Sequence, residues 1–98
     1  MIFRLYNRNR NLETLAREIG YKPIGTTEKG ELNCVRPLGA SYPRFHIYLK
    51  ETPEIITCNL HLDQKKPSYE GATAHSGDYE SDTVRAEVER IKDILFRD

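Results

Sequence analysis

The chain has 98 residues, of which 38% are hydrophobic and 31% charged, and its 15 basic and 15 acidic residues cancel. This length fits one domain with one modest core. The composition excludes a disordered chain, a collagen and a disulfide scaffold. The balanced charge creates no overall field that would draw the chain to nucleic acid or to an anionic membrane.

The first residues, from Met1 to Arg8, mix apolar and polar side chains. A signal peptide needs about 7–15 consecutive apolar residues, and a membrane helix needs about 20. Neither run occurs in the sequence. We therefore expect a cytoplasmic protein without membrane association, in which Cys34 and Cys58 are reduced and partly buried. The alternative for the two cysteines is a disulfide.

Apolar residues that alternate with polar ones predict strands, and apolar residues spaced three and four apart predict helices. Asn9 or Asn11 is expected to cap the first helix, which Gly20 ends. Glycines and prolines mark turns at 24–30 and 37–43. The predicted elements, in chain order, are a strand at 2–6, a helix at 12–19, strands at 31–36, 44–50 and 55–63, and a helix at 82–96.

Strands that follow one another without intervening helices favour an antiparallel or mixed sheet. The order β-α-β-β-β-α therefore predicts one α+β domain over residues 1–98. We expect two layers, with a mainly antiparallel sheet of about four strands and two helices on one face. Residues 64–81 show neither periodicity, so we expect a long irregular loop there.

The strands at 44–50 and 55–63 form a predicted hairpin. Their apolar residues must all face the helices, which fixes the face of every other side chain. The register that we predict places Lys50 opposite Ile55, Tyr48 opposite Thr57, His46 opposite Asn59 and Arg44 opposite His61. In this register His46 and His61 are diagonal neighbours, with Cβ atoms about 7–8 Å apart.

The opposite face of this hairpin carries polar side chains of a kind that suits binding. We interpret His46 and His61 as metal ligands and as candidate catalytic residues. The same face carries four candidate ligand-binding residues, which are Arg44, Tyr48, Lys50 and Asn59. The alternative is that the face is simply solvated, as one face of an antiparallel sheet commonly is.

Asp63 and His75 complete the predicted metal site. Asp63 is two residues from His61 on one strand, and His75 lies in the long loop, which we expect to fold back over the polar face. Histidine and carboxylate ligands suit zinc, manganese or iron, and an open coordination position would hold a water for hydrolysis. For His75 the alternative is a solvated loop residue.

A second class of function is RNA binding or cleavage. A helix, three strands and a helix between Leu12 and Phe96 is an element order that resembles double-stranded-RNA-binding domains and the HicA family of bacterial toxin ribonucleases. The resemblance implies that His46 or His61 acts as general acid or base on a ribose 2′-hydroxyl. It also implies basic residues that hold phosphates; these would be Arg8, Arg10, Arg17, Lys22 and Arg44.

A third class of function is protein–protein interaction or self-association without catalysis. The first strand, at 2–6, is expected at a sheet edge, where it can pair with another chain. This interpretation predicts a homodimer or another partner that binds through the edge strand. The sequence contains no motif that decides among the three classes.

Overall fold

The computed structural model describes residues 1–64, 77–78 and 81–96. Within them an antiparallel sheet has the strand order β1-β5-β4-β3-β2, and the short β6 also pairs with β5. The elements, in chain order, are β1 (Ile2–Tyr6), α1 (Leu12–Glu18), β2 (Lys22–Thr26), β3 (Leu32–Pro37), β4 (Arg44–Glu51), β5 (Ile55–Asp63), β6 (Gly77–Asp78) and α2 (Asp82–Leu95).

The predicted α+β class with an antiparallel sheet is confirmed, and the sheet gains a strand that the sequence did not predict. This strand is β2, which carries Pro23 and Gly25 and pairs with β3. Its register shifts between these two residues, and such a bulge breaks the alternation that reveals a strand. Along the chain, four strands and the short β6 therefore separate the two helices, instead of the predicted three strands.

One hydrophobic cluster joins both helices to the same face of the sheet. Leu15 and Ile19 from the first helical segment and Val84 and Ile91 from α2 pack with the inward residues of the strands. The predicted inward set of the hairpin is buried as expected; it comprises Phe45, Ile47, Leu49, Ile56, Cys58, Leu60 and Leu62. The opposite face of β4 and β5 is therefore turned away from the helices.

Both helices begin with a side-chain cap. The side chain of Asn11 accepts from the backbone N–H of Thr14, and the side chain of Ser81 accepts from that of Val84. Each bond satisfies an N–H group that has no partner inside its helix. Gly20 ends the first helix with a φ of 90°, a conformation in which glycine avoids the strain that other residues incur.

The hairpin register differs by two residues from the predicted one. His46 lies opposite His61, and Arg44 lies opposite Asp63. A shift of two keeps every side chain on its predicted face, so burial alone does not separate the two registers. Hydrogen bonds in the turn select the observed register. The backbone N–H of Thr52 donates to the carbonyl of Ile55 at 2.8 Å, and the Thr52 hydroxyl accepts from the N–H of Ile55 at 3.0 Å.

The predicted loop at 64–81 falls mostly outside the described residues. His75, which belongs to this segment, is also outside them. Of this segment the structure describes Gln64, β6 and Ser81. In β6, Gly77 lies opposite Asp63 and Asp78 opposite Leu62. Across the described part of the chain, neither helix is long and apolar enough to cross a membrane.

Candidate metal centre

Two histidines face each other at the centre of the polar sheet face. His46 lies on β4 and His61 on β5, in direct register, and their ring centroids are 4.8 Å apart. Both residues are buried, with 9% and 7% of their surface exposed. A direct cross-strand pair brings Cβ atoms closer than the predicted diagonal arrangement does, so the two rings are nearer than the sequence indicated.

Asp63 connects the two rings. Its Oδ2 lies 3.1 Å from Nδ1 of His46, and its Oδ1 lies 2.9 Å from Nε2 of His61. Residues two apart on a strand share a face, which places Asp63 beside His61. The direct register then places it beside Arg44 and next to His46.

Asn33 is a contact that the sequence did not reveal. It lies on β3 opposite Tyr48, and its Oδ1 lies within hydrogen-bonding distance of Nε2 of His46. The only sequence signal for it was its polar side chain in a strand otherwise rich in apolar residues. Assigning it to this site required the register between β3 and β4.

Burial lowers the pKa of both histidines below the ordinary value of 6.5. The carboxylate of Asp63 opposes this shift, because a negative charge favours the protonated ring. Arg44 further lowers the pKa of His46, and His46 further lowers that of His61. The rings are therefore held neutral near pH 7, and neutral imidazole is the form that binds metal ions.

The remaining predicted binding residues are spread over the same face. Tyr48 stacks on His46 with ring centroids 4.8 Å apart and lies opposite Asn59. Arg44 contacts Oδ2 of Asp63 at 3.4 Å and lies over the ring of Tyr42 at 4.7 Å. Lys50 is exposed and lies opposite Thr57, further along the strand from the histidines.

The arginines predicted to hold phosphates are largely engaged in ion pairs. Arg10 contacts Glu18, Arg17 lies 3.9 Å from Glu13, and Arg44 pairs with Asp63. Arg8 and Lys22 are exposed elsewhere on the chain. Among the described residues, Arg44 is the one member of this set with a contact to the group formed by His46, His61 and Asp63.

His46, His61 and Asp63 form a group that could hold a metal ion. One ligand atom from each lies within 4.8 Å of the others. Ligand atoms bound to zinc at about 2.0–2.1 Å in tetrahedral geometry are themselves about 3.3 Å apart. The histidine–carboxylate distances of 3.1 and 2.9 Å are close to this value, whereas the 4.8 Å span exceeds it, so the ligand atoms would have to move closer together to share one ion. Comparisons with protein-family models, curated proteins and solved structures find no significant match to the chain.

Proposed function

We propose that the protein binds a divalent transition-metal ion through His46, His61 and Asp63. The observation that carries the proposal is the convergence of two buried imidazoles and a carboxylate, with one donor atom from each inside a 4.8 Å span. Two histidines and one carboxylate form a recurrent ligand set for such ions.

The contacts of His46 support this proposal. Neutral His46 has two tautomers. In the one whose Nε2–H donates to Oδ1 of Asn33, Nδ1 carries the lone pair and lies 3.1 Å from Oδ2 of Asp63. A cation bound by both of these atoms would favour this tautomer over the one whose Nδ1–H donates to Asp63. Metal-bound histidines also typically donate their other N–H to an oxygen acceptor, which is the role that Asn33 fills.

The donor set favours zinc, manganese or iron. Three protein ligands leave at least one coordination position for water, and a bound metal lowers the pKa of such a water into the neutral range. We therefore include metal-dependent hydrolysis in the proposal. His75 is the proposed further ligand, from the segment outside the described residues.

Calorimetric titration of chelator-treated protein with Zn²⁺ or Mn²⁺ tests the proposal. We expect one ion per chain, with affinity reduced by about 100-fold or more in His61→Ala and in Asp63→Asn, since each variant removes a direct ligand. His75→Ala is expected to weaken binding if that residue joins the site. Far-ultraviolet circular dichroism establishes that each variant is folded.

Glu51→Gln is the matched control for Asp63→Asn. It makes the same carboxylate-to-amide change at an exposed position of β4, away from the histidines, and should leave metal affinity unchanged. The proposal fails if neither ion binds stoichiometrically to the wild-type protein, or if Asp63→Asn binds as tightly as Glu51→Gln. Absorption of bound Co²⁺ provides a second readout, because its visible bands report the coordination geometry.

A further inference from the structure

The strand β1 leaves one side of its backbone without a strand partner among the described residues. Met1 and Leu60 exchange both backbone hydrogen bonds, one of them through the N-terminal amine. Hydrogen-bonded pairs alternate along an antiparallel ladder, so every second residue after Met1 also bonds to β5. The residues between them direct their N–H and C=O groups to the outer edge; these are Ile2, Arg4 and Tyr6.

A groove runs beside this edge, between β1 and α2. One part, of about 440 Å³, is lined by residues that include Phe3, Arg85 and Val88. A second part, of about 360 Å³, is lined by residues that include Tyr6 and Phe96. Lys92 lines both parts, which joins them into one surface along the strand.

The groove combines exposed apolar surface with positive charge. Tyr6 is 78% exposed and Phe96 50% exposed, and both line the same part of the groove. Apolar side chains exposed together in one patch are typical of an interaction surface. Arg4, Arg85 and Lys92 line its two parts, and Glu89 is the one acidic residue among their described lining residues. A partner complementary to this surface would supply backbone hydrogen bonds for the strand edge, apolar side chains for the groove and carboxylates for the positive charges.

We propose that the β1 edge and the adjoining groove bind an extended peptide segment of another protein, in which acidic and apolar residues alternate. The peptide would add a strand beside β1, a known mode of peptide recognition. Successive side chains of a strand point to opposite faces, so its carboxylates would lie beside Arg4 on one face and its apolar side chains would face the groove on the other. A second copy of this chain fits less well. Antiparallel pairing of the whole of β1 with another β1 would place Arg4 beside Arg4, and like charges directly opposite destabilise a strand pair.

Fluorescence anisotropy with a short labelled peptide of alternating glutamate and valine tests the inference. We expect saturable binding, and much weaker binding of the same peptide with lysine in place of glutamate. A glutamate–valine peptide with alternate amides N-methylated should also bind weakly, because it cannot complete the ladder. Arg4→Pro removes the outward N–H without removing a bond to β5, as proline is tolerated at strand edges, and it should weaken binding by about tenfold.

Arg4→Glu should weaken binding of the acidic peptide and improve binding of the lysine peptide. Lys29→Glu is the matched control, because it makes the same charge reversal at an exposed turn away from β1 and should have no effect. The inference is overturned if the acidic peptide does not bind, or if it binds equally well to Arg4→Pro. It is also overturned if sedimentation shows a dimer of the chain that Arg4→Pro dissociates, since the occupant would then be a second copy.

Discussion

His46 and His61 lie directly opposite each other on adjacent strands, with their rings 4.8 Å apart at the centroids. Each contacts a different oxygen of the Asp63 carboxylate. Two buried rings that share one carboxylate cannot both gain a proton at low cost, because each positive charge disfavours the other. This relationship governs how the site responds to pH and to cations.

We expect the metal-free protein to lose stability as the pH falls below about 6.5. Burial lowers the pKa of His46 and His61 in the folded state, whereas in the unfolded chain both titrate near 6.5. The unfolded state therefore binds more protons in this range, and stability rises with pH. The histidines' contribution is present above about 6.5 and is lost as the pH falls from there through the lowered values of the folded state.

Urea unfolding of chelator-treated protein at a series of pH values measures this effect. The double variant His46→Asn, His61→Asn lacks both titrating rings, so its stability should change less between about pH 7 and pH 5. An unchanged slope in the double variant would assign the pH dependence to other groups.

We expect Arg44→Gln to increase metal affinity by about tenfold. The guanidinium lies 3.4 Å from Oδ2 of Asp63, where its positive charge competes with a metal ion for the same oxygen. Lys50→Gln removes an equal charge from the same strand and face, but further from Asp63, and should change affinity less. Calorimetric titration with Zn²⁺ compares the two variants, and a loss of affinity in Arg44→Gln would show that the arginine supports the site instead.

We expect Glu87→Gln to destabilise the fold by about 2–3 kcal/mol. Glu87 is 4% exposed and accepts from Tyr21 at 2.6 Å, from Arg90 at 2.7 and 2.8 Å, and from Arg36 at 3.4 Å. An amide supplies one acceptor oxygen where the carboxylate supplies two, and it leaves the two arginines without their counter-charge.

Glu89→Gln is the control for this measurement, because Glu89 is exposed on the same helix and its substitution should cost under about 0.5 kcal/mol. Urea denaturation gives both values. Equal stability of the two variants would show that the buried network contributes little.

We expect both cysteines to resist thiol reagents in the native protein. Burial raises the pKa of Cys34 to about 11, with a smaller effect of Glu13, and burial raises that of Cys58 to about 12. The thiolate is the reactive form, so at about pH 8 Ellman's reagent should label the native chain slowly. Both thiols should react rapidly in denaturant. Rapid labelling of the native protein would contradict the burial of the two cysteines.

Alternation in the sequence was enough to assign faces but not register. It placed His46, His61 and Asp63 together on the side of the hairpin away from the helices, because a buried apolar residue flanks each of them. It did not determine which residues lie opposite each other, since registers that differ by two bury the same side chains. That choice depended on the hydrogen bonds of Thr52 in the turn.

The contacts that come from more distant strands were not predictable from local pattern. Asn33 reaches His46 only because β3 pairs with β4 in one particular register. The strand β2 was missed because Pro23 and Gly25 are typical turn residues and a register shift lies between them. Both features follow from tertiary packing, which overrides local propensity.

The bond between Arg90 and the carbonyl of Ile19, at 2.6 Å, joins positions 71 residues apart. A helix as short as α1, with seven residues, is marginal by itself, and a cation at its carboxyl end helps to hold it. During synthesis on the ribosome α1 emerges long before this arginine does. Its final turn therefore gains that support only once α2 has been translated, so the two helices mature together.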